Sequence, residues 1–434
     1  MTESSMLITT LKAKLLLTKQ KNIRPRKKNH LDFGNYRTRY NFQMKKRKIL
    51  FVVNRFYPEV GGAETNTYFQ AKLLARDHDV TVFTPKRDDY PDEEIIDEIK
   101  IKRAKDYFNR NNYYPNLRGN TLCLSLVKEI LFGDYEIIQC FPAINYNTML
   151  ARLCSWMRFI PCILCCFDFL NYAQILKLQG DIEDNILEKT RLSPWRKFFL
   201  KRFDYIFSIS DKELAFMKKY NQKIEFSPVP VLLDEFEKDV ENPRVKYGIK
   251  EEEFVFLVLG RVSQLKGQDI AVHAFKKFCE QNPNGKMVVV GRNDYSPQMT
   301  TELMQYCHAN KIADRVIFTG GVSRDEVLGW LKNCDIHVIP VRFMNSGAVV
   351  VETWASYRPV LQSDVVDPNL VIEGENGFLF KSRDVESLAN KMQKSFESRE
   401  DFGRMAKNGR EIVESKFNYN YLINLYEKTY DNII

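Results

Sequence analysis

Two cations follow one apolar run in the second half of the chain. The run ends at Gly260, and the turn "GRVSQLKG" then holds Arg261 and Lys266 before a helical pattern begins at Gln268. A helix N-terminus attracts anions, and Arg and Lys donate hydrogen bonds to phosphate oxygens. The turn therefore predicts a diphosphate site, although a solvated basic turn would carry the same residues. It has neither the spacing of a P-loop nor that of a dinucleotide-binding turn.

A second turn of related type occurs in the first half of the chain. The apolar run "KILFVVN" is followed by "RFYPEVGGAE" and then by a helical pattern. Gly61 and Gly62 leave backbone amides uncovered where the helix dipole is positive, so an anion can approach closely. Two glycines after a strand are weak evidence alone. If they face the turn of Arg261 and Lys266 across a cleft, the two glycines would form the other half of an anion site.

These turns belong to a regular alternation of short apolar runs with longer segments of helical spacing. Continuous apolar strands separated by helices indicate parallel sheets covered on both faces. The predicted strands are residues 48–54, 79–84, 135–141, 161–167, 204–210, 254–260, 286–291, 315–320, 335–340 and 359–363. They predict two tandem Rossmann-like, doubly wound α/β domains. Ligands of such sheets bind beyond the carboxyl ends of the strands, here in the interdomain cleft.

The domain boundaries follow from breaks in this alternation. Prolines and dense charge mark residues 226–253 as a linker, between a first domain at 48–225 and a second at 254–416. Residues 1–47 form a basic tail. A chain of 434 residues also exceeds what one hydrophobic core usually serves.

The net charge of +9 is concentrated in the tail. Residues 1–48 hold 14 Lys and Arg against two acids, a net of +12, so the remainder carries −3. The body therefore offers no general surface for nucleic acid. The longest apolar run, 159–167, is too short to cross a bilayer, and no signal peptide is evident, so the sequence predicts a cytoplasmic protein.

The tail has one amphipathic segment. Its apolar side chains share one helical face and are Leu7, Ile8, Leu11 and Leu15, with a polybasic stretch after them. Such a helix would lie on anionic lipid, which predicts peripheral contact with the inner face of the plasma membrane. Alternatively, residues 1–43 are disordered or an upstream misassigned start, because Met44 directly precedes the regular pattern.

A second basic and aromatic stretch is "SPWRKFFLKRF", residues 193–203. It predicts a helix with Ser193 as its cap and Pro194 at its first position. Packing inside the first domain accounts for its aromatic residues, and membrane contact is the alternative.

The spacing of the nine cysteines does not predict a metal site. Three of them, Cys162, Cys165 and Cys166, share one apolar run, and no paired CxxC sets with histidines occur. Buried, reduced thiols of a cytosolic protein are the expectation. The sequence predicts neither a metal nor a cofactor.

Taken in order, the motifs resemble glycosyltransferase family 4, of the two-domain GT-B fold. They are "FYPEVGGAE", "GRVSQLKG", "VVVG", "FTGGVSRDEV", "DIHVIP", "GAVVVETWASYRPV" and "EGENGFLF". The resemblance runs from about Lys48 to the C-terminus. It implies a retaining, metal-independent enzyme that uses a nucleotide-diphosphate sugar. It also implies that the last helix, 417–434, crosses back to complete the first domain.

The resemblance also implies residue roles. Arg261 and Lys266 would hold the diphosphate and stabilise the leaving group, and Glu352 would accept hydrogen bonds from the ribose. The departing phosphate would deprotonate the acceptor, so no protein base is required. The other residues implied on the donor side are Gly61, Gly62, Gly260, Gly321, Val322 and Gly347, of which Gly321 and Val322 would meet the nucleobase.

The chain departs from the family pattern where the donor sugar usually binds. Met344 replaces the first of two glutamates eight positions apart, Phe167 replaces a histidine before Asp168, and a Gly-Gly pair reads Val365 and Val366. Beside Met344, Asn345 and Ser346 would supply neutral hydrogen bonds to the donor. These changes predict an altered donor-sugar pocket. The usual employment of the family implies a transfer to a glycan or lipid-linked acceptor in bacterial surface-polysaccharide or lipopolysaccharide synthesis. The alternatives are an inactive GT-B subunit that serves as a nucleotide-binding scaffold, and a GT-B epimerase or phosphorylase.

Overall fold

The structure, a computed structural model, describes most of the chain after Met44. The residues described are 45–59, 62–87, 90–107, 121–142, 144–166, 193–294, 296–342, 347–366 and 370–434. Lys45–Ile434 form one compact unit. The amphipathic segment of the tail lies outside the described residues. Within those residues, every helix is too short or too polar to cross a membrane.

Eight strands form the first sheet, in the order β3-β4-β2-β1-β5-β6-β7-β8. Their bounds are β1 Lys48–Val52, β2 Asp79–Pro85, β3 Glu93–Ile96, β4 Ile99–Ala104, β5 Ile137–Cys140, β6 Cys162–Cys166, β7 Tyr205–Ser208 and β8 Ile224–Phe226. All neighbours are parallel except β3 and β4, which form an antiparallel hairpin at one edge. In β1, Ile49 to Val52 are almost fully buried. Burial on both faces explains why these strands read as continuous apolar runs.

Five helices of the first domain are described. They are α1 Gly62–Leu74, α2 Ser125–Phe132, α3 Tyr146–Arg158, α4 Pro194–Leu200 and α5 Asp211–Met217. Helices α2, α3 and α4 share one hydrophobic core with the first sheet. Helix α4 begins as predicted, since the Ser193 hydroxyl accepts a hydrogen bond from the Arg196 backbone N–H (3.4 Å) and Pro194 occupies the first turn.

Six parallel strands form the second sheet, in the order β11-β10-β9-β12-β13-β14. Their bounds are β9 Phe254–Leu259, β10 Gly285–Val290, β11 Val316–Gly320, β12 Ile336–Ile339, β13 Val360–Ser363 and β14 Gly377–Phe380. The helices of this half are α6 Leu233–Glu237, α7 Pro243–Lys246, α8 Gln268–Cys279, α9 Pro297–Ala309, α10 Arg324–Asn333, α11 Ala348–Ala355, α12 Val385–Glu397, α13 Phe402–Lys416 and α14 Tyr419–Ile433.

Two parallel-sheet α/β domains are therefore present, as the alternation predicts. Four strands escape that prediction: β8, β14 and the two strands of the edge hairpin, β3 and β4. The β3–β4 hairpin turns through Asp97 and Glu98, both with positive φ (48° and 66°). In β4 buried residues alternate with exposed or partly exposed ones, which is the period of a strand open to water on one face.

The connection between the sheets, inside the predicted linker 226–253, packs along the second sheet. Phe236 of α6 is buried. Arg244 of α7 reaches the Asp335 carboxylate with a 2.6 Å contact between Nη2 and Oδ2, and the same oxygen accepts from the Val255 backbone N–H (2.7 Å). Helix α7 is thereby anchored where β9 begins.

Helix α14 returns to the first sheet. The Tyr426 hydroxyl donates to Gln70 Oε1 of α1 (2.8 Å). Glu427 forms an ion pair with the buried Arg47 (2.8 Å) and lies 2.6 Å from His78 Nε2. Arg47, the last residue of the predicted tail, thus lies in the folded body.

Candidate functional site

The turn between β9 and α8 carries Arg261 and Lys266 to the carboxyl edge of the second sheet. Gln264–Lys266 form one 3₁₀ turn, and Gly267 then takes a left-handed conformation (φ 71°) before α8. A Cβ atom at Gly267 would lie 1.8 Å from the carbonyl oxygen of Pro340, at the end of β12. Only glycine lets the turn pack this closely.

Two further contacts fix the backbone of this turn. A Cβ atom at Gly291, directly after β10, would lie 1.9 Å from the Gly260 carbonyl oxygen. The Gln268 amide nitrogen donates to the carbonyls of Gly260 (3.2 Å) and Arg261 (3.1 Å), and its oxygen accepts from the Ser263 backbone N–H (3.3 Å). The turn is therefore held in one shape.

Arg342 ties the turn to the end of β12. Its guanidinium binds the Asp269 carboxylate through both Nη atoms, with Nη1 2.8 Å from Oδ1, and Nη1 also donates to the Gln264 carbonyl (2.5 Å). Paired hydrogen bonds of this kind fix geometry as well as charge. Neither Arg342 nor Asp269 stands out in the sequence, because their pairing depends on the fold.

Lys266 is a partly buried cation. Its aliphatic chain lies over Gly260, with Cδ 3.8 Å from where a Cβ would stand. Burial, and then the charge of Arg261, lowers the pKa of the Lys266 ammonium. Among the described residues, no carboxylate forms an ion pair with Lys266. A bound anion would relieve both effects, because it would replace the lost water and balance the charge.

His337 of β12 lies fully buried near Lys266. Burial, and then the charge of Lys266, lowers the pKa of His337 to about 3, so the ring is neutral. The Thr353 hydroxyl donates to the Val349 carbonyl (2.6 Å), so it must accept from His337 Nδ1, 2.6 Å away. This assigns the proton to Nδ1. The ring therefore adds no third positive charge near Lys266, and its contact with Thr353 joins β12 to α11.

Glu352 of α11 lies in an ion-pair network. Its Oε1 is 2.8 Å from Nη2 of Arg324, the first residue of α10. Arg324 also binds the Glu235 carboxylate of α6 through Nε and Nη2, both at 3.0 Å. Partial burial opposes the charge of Arg324, but the Glu352 and Glu235 carboxylates outweigh it and raise the pKa of the guanidinium. The predicted ribose acid thus has a protein partner already.

This network lies next to the first domain. Tyr419, the first residue of α14, is buried, and its hydroxyl donates to Asn66 Oδ1 of α1 (3.2 Å). Burial, and then the charges of Glu235 and Glu352, raises the pKa of the Tyr419 hydroxyl. Glu352 is therefore close to the contact between α14 and α1, the helix that opens at Gly62.

The remaining predicted glycines lie at helix starts or strand ends. Gly62 begins α1, and a Cβ there would meet nothing within 4 Å, so this helix end is open. Gly321 and Val322 follow β11, with the Arg292 side chain over Gly321. Gly347 caps α11 in a left-handed conformation (φ 71°).

Several predicted residues lie outside the described part of the chain. They are Gly61, Phe167, Asp168, Met344, Asn345 and Ser346. Among the residues described, Arg261 and Lys266 share one turn. His337 is close enough to Lys266 for its pKa to respond to that charge, and it contacts Thr353 on the helix of Glu352. The searched part of the chain contains no cluster of three His, Cys, Asp or Glu that would hold a metal ion.

Arg324 and Glu235 were missed by sequence reasoning. One signal was available: Arg324 opens a helix, where a cation opposes the helix dipole and an acid is favoured. Its partner Glu235 is 89 positions away along the chain. Only the fold brings the two together.

Two family models match the chain. Residues 60–234 match Glycosyltransferase Family 4, and residues 239–412 match Glycosyl transferases group 1. An uncharacterized glycosyltransferase, MJ1069, of Methanocaldococcus jannaschii is 22% identical over 410 residues, which cover 90% of this chain and all of that protein. The capsular polysaccharide biosynthesis glycosyltransferase CapM of Staphylococcus aureus is 23% identical over 206 residues, 47% of this chain and 53% of CapM.

Solved GT-B structures share the fold. Anabaena HepE, crystallised in complex with UDP, superposes with a TM-score of 0.68 at 18% identity, covering 89% of this chain and all of HepE. At that identity the likeness concerns the fold alone.

Proposed function

Because the chain belongs to glycosyltransferase family 4, we propose that it transfers a sugar from a nucleotide diphosphate to a glycan or lipid-linked acceptor. The observation that carries the proposal is Lys266, a partly buried cation beside Arg261 at a helix start, with no carboxylate paired to it among the described residues. A diphosphate supplies the missing charge. HepE, which shares the fold, was crystallised with UDP.

The proposed chemistry uses the charge that develops on the leaving group. As the bond from the anomeric carbon to the phosphate oxygen breaks, Arg261 and Lys266 stabilise the departing diphosphate. A phosphate oxygen then takes the proton of the acceptor hydroxyl, which attacks the same face of the sugar, so configuration is retained. In this proposal the two cations do the work of a metal ion, and no cofactor is needed.

The rest of the donor would bind along the carboxyl edge of the second sheet. Glu352 would accept from the ribose hydroxyls while Arg324 holds its second side, and the backbone at Gly321 and Val322 would meet the base. Asn345 and Ser346 would contact the sugar. The open N-terminus of α1 at Gly61 and Gly62 would face the phosphates and the acceptor.

The setting we propose is the synthesis of a bacterial surface polysaccharide or lipopolysaccharide, at the cytoplasmic face of the plasma membrane. CapM, which resembles part of this chain, is a capsular polysaccharide biosynthesis glycosyltransferase. The +12 charge of residues 1–48 supports peripheral contact of the tail with anionic lipid.

An inactive nucleotide-binding GT-B subunit is the second candidate. Met344 and Phe167 favour it, because they replace side chains that usually touch the donor sugar in the family. One lost charged hydrogen bond costs about 1.5 to 3 kcal/mol. Enzymes accelerate reactions by at least ~10⁶-fold, so one such loss weakens a catalyst without abolishing it.

A panel of UDP-, GDP- and dTDP-sugars with extracted acceptor lipids separates the two candidates. We expect transfer or slow hydrolysis of at least one donor, with the same rate in EDTA. Restoration of an EDTA-inhibited rate by Mn²⁺ would contradict the metal-independent mechanism. Nucleotide binding without transfer or hydrolysis of any donor would establish the inactive subunit.

A further inference from the structure

Helix α3 turns its apolar side toward solvent. Leu153, Trp156 and Met157 are 40%, 58% and 69% exposed. Their spacing of three and four residues places them on one helical face. The opposite face, which packs on the first sheet, buries mostly small or polar residues: Asn147, Thr148, Ala151, Cys154 and Ser155. Met149 and Leu150 pack partly buried against the same core, so α3 carries apolar side chains on its solvent side as well as on its core side.

Hydrogen bonds fix this orientation. Asn147 accepts from the Cys123 backbone N–H (2.8 Å) and donates to the Thr121 hydroxyl (3.0 Å). Thr148 and Asn145 form a reciprocal capping box at the start of the helix. Turning α3 to bury Trp156 would break these bonds and leave buried polar groups unpaired. The apolar side is therefore held outward.

Exposed aromatic residues after α3 and on α4 extend this apolar side. Phe159 follows α3 and is 92% exposed, and Trp195 of α4 is 70% exposed. The two helices meet through Arg152 of α3, whose Nε donates to the carbonyl of Arg202, just after α4 (2.5 Å). We name this surface the aromatic face; it comprises Leu153, Trp156, Met157, Phe159 and Trp195.

The aromatic face has a basic surround. Six cations lie on α3, on α4 or directly after α4: Arg152, Arg158, Arg196, Lys197, Lys201 and Arg202. Neither helix contains an acid, and Asp204, which Arg152 reaches at 3.4 Å, is the next one along the chain. Residues 49–434 carry a net charge of −3, so this surface is basic against an acidic body.

We propose that the aromatic face docks on an anionic lipid bilayer. Trp and Phe side chains suit the boundary between headgroups and acyl chains, and Lys and Arg beside them attract lipid phosphates. A second copy of the chain fits poorly, because a symmetric contact would set two basic surfaces against each other. The basic tail is repelled in the same way. The docking does not depend on sugar transfer and uses residues far along the chain from the tail.

Vesicle cosedimentation of the full-length protein tests the proposal. We expect binding to phosphatidylcholine vesicles that contain phosphatidylglycerol, and at least about tenfold weaker binding to phosphatidylcholine alone. Combining Trp156→Ser, Met157→Ser and Trp195→Ser should weaken the anionic binding about tenfold or more. Lys197→Glu with Lys201→Glu should do the same, because charge attracts the lipid. Ile95→Ser and Val245→Ser, at positions 74% and 81% exposed elsewhere, are matched controls and should change nothing.

Phe159→Asn keeps the proposal testable if the triple variant fails to fold. Phe159 has a left-handed backbone (φ 54°), which Asn tolerates better than Phe. Its vesicle binding should fall while nucleotide binding stays at the wild-type level, which also separates this proposal from the proposed function. Full vesicle binding in folded variants would overturn the proposal and leave the tail as the membrane element. Variants that lower the mass in sedimentation equilibrium, with unchanged vesicle binding, would assign the face to a second copy.

Discussion

Two cations near the carboxyl edge of the second sheet have opposite environments. Lys266 is partly buried beside Arg261 and forms no ion pair with a described carboxylate, and burial lowers its pKa. Arg324 binds two carboxylates, Glu235 and Glu352, and its pKa is raised. A partly buried cation without a counter-charge destabilises the protein until an anion binds, whereas a cation paired with carboxylates holds its partners in place. On these grounds we propose ligand binding for Lys266 and positioning for Arg324.

The largest effect is expected for Lys266→Ala. Loss of a charge-assisted hydrogen bond should weaken the binding of the preferred nucleoside diphosphate about 10- to 150-fold. The free energy of unfolding should stay equal or rise, because the variant removes a partly buried charge. Calorimetric titration with UDP and GDP, and urea unfolding, measure the two quantities.

Arg261→Ala should lose affinity to a similar degree, since neither cation alone balances a diphosphate. Lys276→Ala, on the exposed side of α8, is the matched control. Wild-type affinity in both single variants would remove the diphosphate from this turn.

The second effect is on the pH dependence of stability. It tests whether His337, near Lys266, is neutral in the folded protein. The pKa of His337 falls from 6.5 to about 3 on folding. Between these two pH values the His337 ring is therefore protonated in the unfolded chain and neutral in the native state. Stability should therefore fall as the pH drops, by about 2 kcal/mol from this residue between pH 7 and pH 5. His337→Asn removes the titrating group. Its free energy of unfolding, measured with urea, should therefore fall less between pH 7 and pH 5 than that of the wild type. An identical loss in both proteins would mean that His337 is protonated in the fold.

Whether the sequence predicts a part of this site depends on how far apart its interacting residues lie along the chain. Arg261 and Lys266 could be proposed as a site from the sequence because strand, turn and helix are contiguous, and most parallel strands could be predicted because each is buried on both faces. Arg324 and Glu235, 89 positions apart, could not be. The β3–β4 hairpin was missed although buried residues alternate with exposed or partly exposed ones in β4. The orientation of helix α3 was harder still to predict from the sequence, because its buried face is held by polar contacts such as that of Asn147 with Cys123.

A smaller effect is expected for Glu352→Gln. If Glu352 accepts from the ribose, the amide should weaken nucleotide binding about tenfold, because a neutral hydrogen bond is weaker than a charged one. The matching measurement uses the preferred nucleotide and its 2′- and 3′-deoxy forms. Wild type should discriminate against at least one deoxy form, and Glu352→Gln should discriminate less. Unchanged discrimination would reduce Glu352 to a partner of Arg324.

The smallest effect should come from Arg324→Ala, and it decides what Arg324 does. Its side chain is 42% exposed, so its two ion pairs should contribute only about 1 kcal/mol to stability. Without Arg324, Glu352 and Glu235 repel each other, and Glu352 loses the contact that orients it. Deoxy discrimination should then fall part of the way toward that of Glu352→Gln, with Arg324→Lys between Arg324→Ala and wild type because lysine keeps the charge but not the paired geometry. Tighter nucleotide binding in Arg324→Ala would mean the reverse: Arg324 would compete with the ribose for Glu352, and the ion pair would have to open before a donor binds.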